Sequence, residues 1–519
     1  MNTNPTIPAE SAAQTPSKKP LLGLVGILIA AIAAGLNNRV AALALTDLRG
    51  VLGFALDDAS WLTTVYNVGE LVVMPFAAWF AITLSVRRFE LWLLTLCTVL
   101  AAILPFIQNI NLLLVIRCLQ GASSGAMIPV LMMAALKFLP PSIRLYGLAL
   151  YAMTATFTPN ISIWLAGYWI DYIADWRWIY WQIIPLTLFS GYLISIGLPN
   201  EDIKFDRFSQ ANWFGMFSGI TAFSLIAIVL DQGVRLNWFY SPMISTFLFI
   251  GLIFFIIYLY TEWFHPTPFI KLQLLSRKNL WLSFSLFVVL LIILTSGSLL
   301  PVSYLAPLQG YRPMQMASIG LTVALPQLIL GPLIAWLLSQ KWMDARLVFS
   351  IGLLCISISC FLGMGINSVW NKDQFYFIQL LQAIGQPMAI ISMLFLATSV
   401  VKPIEGPYVS GTINTLRALG SLAGGTMINQ WIITRDIFHR NVLSDQAALQ
   451  DNFHSLLSEP VILDQVIYQQ SHVLSVADIY YVLGVVALIL IPLVFQLTYI
   501  PAPNAQQPLK IASSNLKDD

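Results

Sequence analysis

Four ionisable side chains sit inside long apolar runs, where a charge is costly and is usually kept for function. Glu70 lies in Asn67-Val68-Gly69-Glu70, and Arg39 lies in Gly35-Leu36-Asn37-Asn38-Arg39. Arg117 opens Arg117-Cys118-Leu119-Gln120-Gly121, with Gly125 four residues on. Arg417 sits in Asn414-Thr415-Leu416-Arg417-Ala418-Leu419-Gly420, with Gly424 four residues further. Counted from the ends of their runs, Glu70 is roughly 13 Å deep and Arg39 at a similar depth. An unpaired charge there costs about 2.5–3.5 kcal/mol or more. Opposite charges at one depth offset that cost if their helices face each other. The plainer reading is a structural ion pair. The functional reading makes Glu70 the site of a proton or a cationic substrate, with Arg39 modulating it.

Other chemistry is sparse. No phosphate-binding Gly-x-x-x-x-Gly-Lys-Ser/Thr segment occurs, nor a Gly-x-Ser-x-Gly nucleophile turn. His265, His439, His454 and His472 all fall in expected loops without metal spacing, and no cofactor or metal is expected. Cys97, Cys118, Cys355 and Cys360 fall in expected helices, so no disulfide framework is implied. An enzyme is not expected; an ion or substrate gradient would have to drive any work. Asn37, Asn38, Gln120, Asn414, Arg417, Gln382 and Gln386 are the polar side chains expected to line a cavity for a small-molecule substrate.

The elements that position these residues follow from composition. Of 519 residues, 58% are hydrophobic and only 10% charged, with a net charge of +2. A soluble domain carries about 25% charge, so this chain could not cover its surface in water. Nucleic-acid binding through a basic field is excluded by the same balance. The apolar runs predict fourteen membrane helices, an all-α polytopic protein: 21–45, 61–83, 90–109, 112–136, 144–170, 178–198, 212–231, 240–261, 280–305, 315–339, 345–366, 374–400, 407–433 and 477–498. Sixteen Lys and Arg fall on one set of loop ends and seven on the other, which predicts both termini in the cytoplasm. Residues 1–20 and 499–519 are expected to be cytoplasmic tails, the first disordered. The segment 434–476 is expected to be a polar outer loop, either solvated or a docking surface. Pro129, Pro159, Pro326, Pro332 and Pro387 interrupt helices, as where helices bend around a cavity. Asp175-Trp176-Arg177-Trp178-Ile179-Tyr180-Trp181 reads as an interfacial aromatic belt.

The span order, Arg117-Cys118-Leu119-Gln120-Gly121 and Asp175-Trp176-Arg177-Trp178 resemble the major facilitator superfamily, more narrowly its fourteen-helix drug:proton antiporter branch. The late segment opened by Thr434-Arg435-Asp436-Ile437-Phe438-His439-Arg440 is similar to the inner-membrane subunit of Emr-type tripartite efflux pumps. The resemblance implies two six-helix bundles, 21–200 and 271–498, with two helices inserted at 201–270. It also implies a bacterial inner-membrane exporter coupled to protons. A periplasmic adaptor and an outer-membrane channel are its implied partners, and Arg117 its assistant in proton movement.

The chain also departs from the family pattern. Where the family carries Gly-x-x-x-Asp-Arg-x-Gly-Arg after the second helix, this chain reads Ala78-Trp79-Phe80-Ala81-Ile82-Thr83-Leu84-Ser85-Val86. The fifth helix keeps Pro159 and Gly167 but not the family's Gly-Pro. With Arg39, Arg117 and Arg417 set against Glu70, the path is expected to be positive, favouring amphipathic anions or neutral aromatic compounds. Two alternatives stay open: an uncoupled facilitator or an exporter of a metabolite such as a siderophore, and a membrane sensor or enzyme that moves nothing.

Overall fold

The computed structural model describes residues 20–139, 143–449 and 460–502. The expected tails fall largely outside these residues, as do His454 and the centre of segment 434–476. The first six long helices are α1 (Pro20–Leu43), α2 (Leu56–Leu84), α3 (Val86–Ile103), α4 (Ile110–Phe138), α5 (Arg144–Gly167) and α6 (Trp178–Gly197). Then come α7 (Trp213–Gln232) and α8 (Pro242–Phe264). The last six are α9 (Lys278–Gln309), α10 (Pro313–Leu338), α11 (Ala345–Gly363), α12 (Lys372–Thr398), α13 (Gly406–Leu449) and α14 (Pro460–Val494). The described residues form helices and the turns between them, and a membrane helix bonds its backbone groups within itself.

Twelve of the described helices are long and apolar enough to cross a membrane. The other two of comparable length, α5 and α13, are more polar. Thr154, Thr156, Thr158, Asn160 and Ser162 interrupt α5, while Ser410, Thr412, Asn414, Thr415 and Arg417 interrupt α13. Each is the fifth helix of its bundle, and each packs against the other half: α5 on α10, and α13 on α2 and α4. Their polar residues are buried between protein surfaces, so lipid does not penalise them.

Within the first bundle, α2 and α4 touch backbone to backbone. A Cβ on Gly121 would stand 2.2 Å from the Tyr66 carbonyl oxygen, and one on Gly125 would stand 2.3 Å from that of Glu70. This approach brings Arg117 and Glu70 onto adjoining helices. The inserted pair α7–α8 leans on α2, and α7 also meets α13. At the Leu84 end of α2, Trp79 packs edge-on against Phe80, Phe208, Trp213 and Phe269. An aromatic plug ties α2 to the inserted segment there, with the Arg207 guanidinium 5.3 Å above the Trp79 ring.

The outer loop expected at 434–476 is replaced, over the described part, by helix. α13 continues to Leu449 and α14 begins at Pro460. Nothing from Thr434 to Leu449 is Gly or Pro, so polarity ends the membrane span without ending the helix. Opposed charges join the two extensions: Arg440 to Asp464 at 2.6 Å, Arg435 and His439 to Asp478 at 2.6 and 2.7 Å, and His472 to Asp436 at 2.9 Å. His439 and His472 therefore lie on helices rather than in loops.

The two halves also meet at both ends. At the end bearing Asp47 and Asp171, Arg312 pairs with Asp171 at 2.6 Å and Asp47 at 3.0 Å. At the opposite end the Ser410 hydroxyl donates to the Pro129 carbonyl at 2.7 Å. Nearby, Arg277 grips Glu405 with two bonds of 2.7 and 2.8 Å, which holds that carboxyl below the usual carboxylate range.

The two glycine pairs make a contrast that can be measured. A Cβ on Gly424 would come no closer than 3.2 Å to Ile292, against the backbone collision at Gly125. Gly125→Ala is expected to destabilise the purified protein by about 1–3 kcal/mol through overpacking, and Gly424→Ala much less. Thermal melts in detergent read the difference, and equal losses would refute it.

Candidate functional site

A cavity of about 210 Å³ lies between the halves, walled by α1, α2, α4, α5 and α13. Arg39 and Asn38 enter it from α1, Asn67 and Glu70 from α2, Thr154 from α5, and Arg417 and Ser421 from α13. The helices cross here because the glycine contacts hold α2 on α4 while the polar faces of α5 and α13 turn inward. Glu70 and Arg39 share the cavity without an ion pair within 4.0 Å, so the structural pair weighed from the sequence is not formed. Arg417 is tied down: its Nη1 donates to Thr154 Oγ1 at 2.6 Å, and its guanidinium lies 5.5 Å from the Tyr151 ring centre.

Arg117 is behind the cavity wall and only 1% exposed. Its guanidinium lies 4.5 Å from the Tyr66 ring centre and 5.6 Å from that of Tyr180. Nη1 donates to Gln120 Oε1 at 2.8 Å, and Nη2 donates to Asn38 Oδ1 at 3.3 Å. Amides and π faces replace a counter-ion. Asn38 thus has one side on the cavity and the other on Arg117.

Several residues expected in the cavity stand elsewhere. Asn37 turns into the first bundle, donating toward Ser124 Oγ at 3.4 Å. Gln120 serves Arg117. Asn414 accepts from the Tyr151 hydroxyl at 2.9 Å and donates to the Ser410 carbonyl, fixing α13 to α5. Gln382 and Gln386 belong to a second buried cluster. Gln386 donates to Gln382 at 3.1 Å, Gln382 to Ser296 and Ser359 at 3.0 Å each, and Gln327 joins them to Thr156. The structure therefore brings Arg39, Glu70, Asn38 and Arg417 together and leaves Asn37, Gln120, Asn414, Gln382 and Gln386 as supports.

Sequence reasoning passed over Asp231, at the end of α7, whose carboxylate accepts from Asn67 Nδ2 at 3.1 Å and from the Thr64 hydroxyl. The residue falls on the boundary of an apolar run, where an acid reads as a loop residue. Among the described residues no group of His, Cys, Asp and Glu could hold a metal. The arrangement sets two guanidiniums beside a carboxyl open to the same space.

The family model described as the Major Facilitator Superfamily matches residues 27–425. The colistin resistance protein EmrB of Acinetobacter baumannii is 23% identical over 401 residues, 76% of each chain. The fatty acid resistance protein FarB of Neisseria gonorrhoeae is 22% identical over 89% of this chain and 92% of its own. The multidrug export protein EmrB of Escherichia coli strain K12 is 24% identical over 50% of this chain and 52% of its own. A solved peptide transporter POT in complex with sulfate superposes with a TM-score of 0.55 at 16% identity, over 92% of this chain and 95% of that one. The human organic anion transporter MFSD10 gives 0.54 at 11% identity, over 92% and 100%.

Arg117 offers a test of function against structure. A buried cation without an opposing charge does not stabilise the fold, so Arg117→Met is expected to melt within a few degrees of the native protein while losing transport by about tenfold or more. Transport that survives in folded Arg117→Met protein would make the arginine dispensable.

Proposed function

Because the chain belongs to the Major Facilitator Superfamily, we propose that this multi-pass membrane transporter exports small amphipathic compounds by alternating access across a bacterial inner membrane. We take the driving force to be a proton gradient, with Glu70 as the acid that carries the proton and Arg39 as its modulator. One observation carries the reading: the cavity between the halves combines two guanidiniums with a carboxyl that has no hydrogen-bonding partner among the described residues. Polar ties at both ends of the cavity, Arg312 with Asp171 and Ser410 with Pro129, supply contacts for two alternating closures. The export direction draws on the relatives, whose names speak of colistin resistance, fatty acid resistance and multidrug export.

In this reading the substrate sits between Arg39 and Arg417, and the proton enters at Glu70. With Glu70 ionised the cavity carries a net positive charge, so anions and neutral aromatic compounds suit it better than lipophilic cations. Protonating Glu70 raises that positive charge, and releasing the proton lowers it. Proton and substrate thus act on the same electrostatic space, which is what coupling requires. The paired extensions of α13 and α14 present polar helix beyond the membrane, a surface suited to a periplasmic adaptor leading to an outer-membrane channel.

Three measurements test the proposal. Glu70→Gln is expected to leave efflux in inverted vesicles insensitive to a protonophore, and Arg417→Gln is expected to weaken anionic substrates about tenfold more than neutral ones. Native transport that persists when the proton gradient is collapsed would favour an uncoupled facilitator instead. Deleting 441–470 is expected to abolish co-purification of an adaptor, and a partner that stays bound would move the docking surface elsewhere.

A further inference from the structure

The inserted helix α7 supplies a carboxylate to the wall of the first bundle. Asp231 accepts from Asn67 at one oxygen and from Thr64 at the other. Asn67 Oδ1 in turn accepts from Asn38 Nδ2 at 2.6 Å, and Asn38 Oδ1 accepts from Arg117. Every donor in this row points from the guanidinium toward the carboxylate. That direction is forced, since a guanidinium only donates and a carboxylate only accepts, leaving the two amides between them one orientation.

The row continues to the surface. Gln232 Nε2 donates to Thr64 Oγ1 at 2.5 Å, and Arg235 Nε donates to Gln232 Oε1 at 2.6 Å. Arg235 then pairs with the exposed Asp57 at 2.5 Å. Asp231 is thus joined to Arg117 by two amides and to solvent by Thr64, Gln232 and Arg235.

The site is also built to accept a proton. Thr64 Oγ1 lies 3.1 Å from the Ser60 carbonyl oxygen as well as beside Asp231. When a hydronium ion gives up its proton, an O–H bond forms at Asp231 Oδ2 and water leaves. The Thr64 hydrogen then turns to Ser60, and its oxygen accepts from both Gln232 and the new carboxylic acid. No hydrogen bond is lost in either state, while the charge at Asp231 goes from −1 to zero.

We propose that Asp231 is a proton-binding site on the inserted helix, whose charge state sets how strongly it holds Asn67 and, through Asn67 and Asn38, bears on the hold on Arg117. The proposal rests on the proton-coupled reading above and extends it to a residue outside both bundles. The charged groups around the site are Arg235 and Asp57 toward the surface, Arg39 and Glu70 across the cavity wall, and Arg117 through Asn38. From α13, Thr426 donates to the Leu230 carbonyl and Gln430 accepts from Trp238, and the charged group is Arg417, which shares the cavity with Asn67. The α8 acid, Glu262, is engaged with Asn212 and the Ile270 amide at the opposite end of the inserted pair.

Infrared difference spectroscopy of the full chain in lipid vesicles tests this with the proton itself as the probe. As pH falls, the native protein is expected to gain a protonated-carboxyl band that Asp231→Asn lacks and Asp231→Glu restores. Thr64→Val keeps the carboxyl but removes its exchangeable partner, and is expected to move the midpoint of that band by about one pH unit. The band assigned to Glu70 is removed separately by Glu70→Gln, so loss of proton coupling at Glu70 can be told apart from failure at Asp231. Identical spectra for native and Asp231→Asn protein, with Asp231→Glu folded, would overturn the proposal. So would a band suppressed by sodium chloride but not choline chloride, since the site would then take a metal cation.

Discussion

A guanidinium held at membrane depth without an opposing carboxylate is the constraint to which the first bundle is fitted. Arg117 cannot leave its charge unsatisfied, and lipid offers it nothing. Its partners must come from several helices at once: a Tyr66 face from α2, a Tyr180 face from α6, an amide from α1 and another from its own helix. Those partners reach it only if α2 lies directly on α4. Gly121 and Gly125 permit that contact because no side chain stands between the backbones. The same approach carries Glu70 to the cavity wall. Packing and chemistry therefore depend on one interhelical distance.

The fifth helix of each bundle answers the same constraint from the other side. α5 and α13 are too polar to face lipid, so each is committed to the interface between halves. Their hydroxyls and amides hold one another through Tyr151 with Asn414, and Thr154 with Arg417. A second cluster of Gln327, Gln382 and Gln386 anchors α5 to the other bundle. These contacts are directional yet short of ion pairs, as the proposed alternating access would need of surfaces that part and rejoin.

The helix order was legible in the apolar runs, α5 and α13 among them although these two are the more polar. The depth of Arg39, Glu70 and Arg417 was legible by counting residues, and all three reach one cavity. Azimuth was not legible. Asn37 and Asn38 are neighbours about 100° apart on a helix, and only Asn38 faces the cavity. A helix apolar on most sides gives no moment from which to read that angle, so Gln120 and Asn414 could not be told from lining residues. The polar stretch after 433 read as a loop because it leaves the membrane, whereas its ion pairs form only once α14 is in place. Asp231 escaped notice for a related reason: its partners, Thr64 and Asn67, lie more than 160 residues away.

The inserted pair acquires a meaning from this arrangement. If α7 and α8 only filled space in lipid, their contacts with α2 would be apolar throughout. At the Leu84 end they are, through Trp79, Phe208, Trp213 and Phe269. At the other end they are not, since Asp231, Gln232 and Arg235 bond to Thr64, Asn67 and Asp57. An apolar contact tolerates sliding, and a chain of directional bonds does not. Helix α2 is therefore gripped at one end by rings and at the other by a polar row leading to Arg117. Any motion of α2 that opens the cavity must carry α7 with it or break that row, and a carboxylate left without its donors in lipid is expensive. Protonation removes that expense. In the proposed mechanism, the charge of a residue outside both bundles thereby enters the energetics of the motion between the halves.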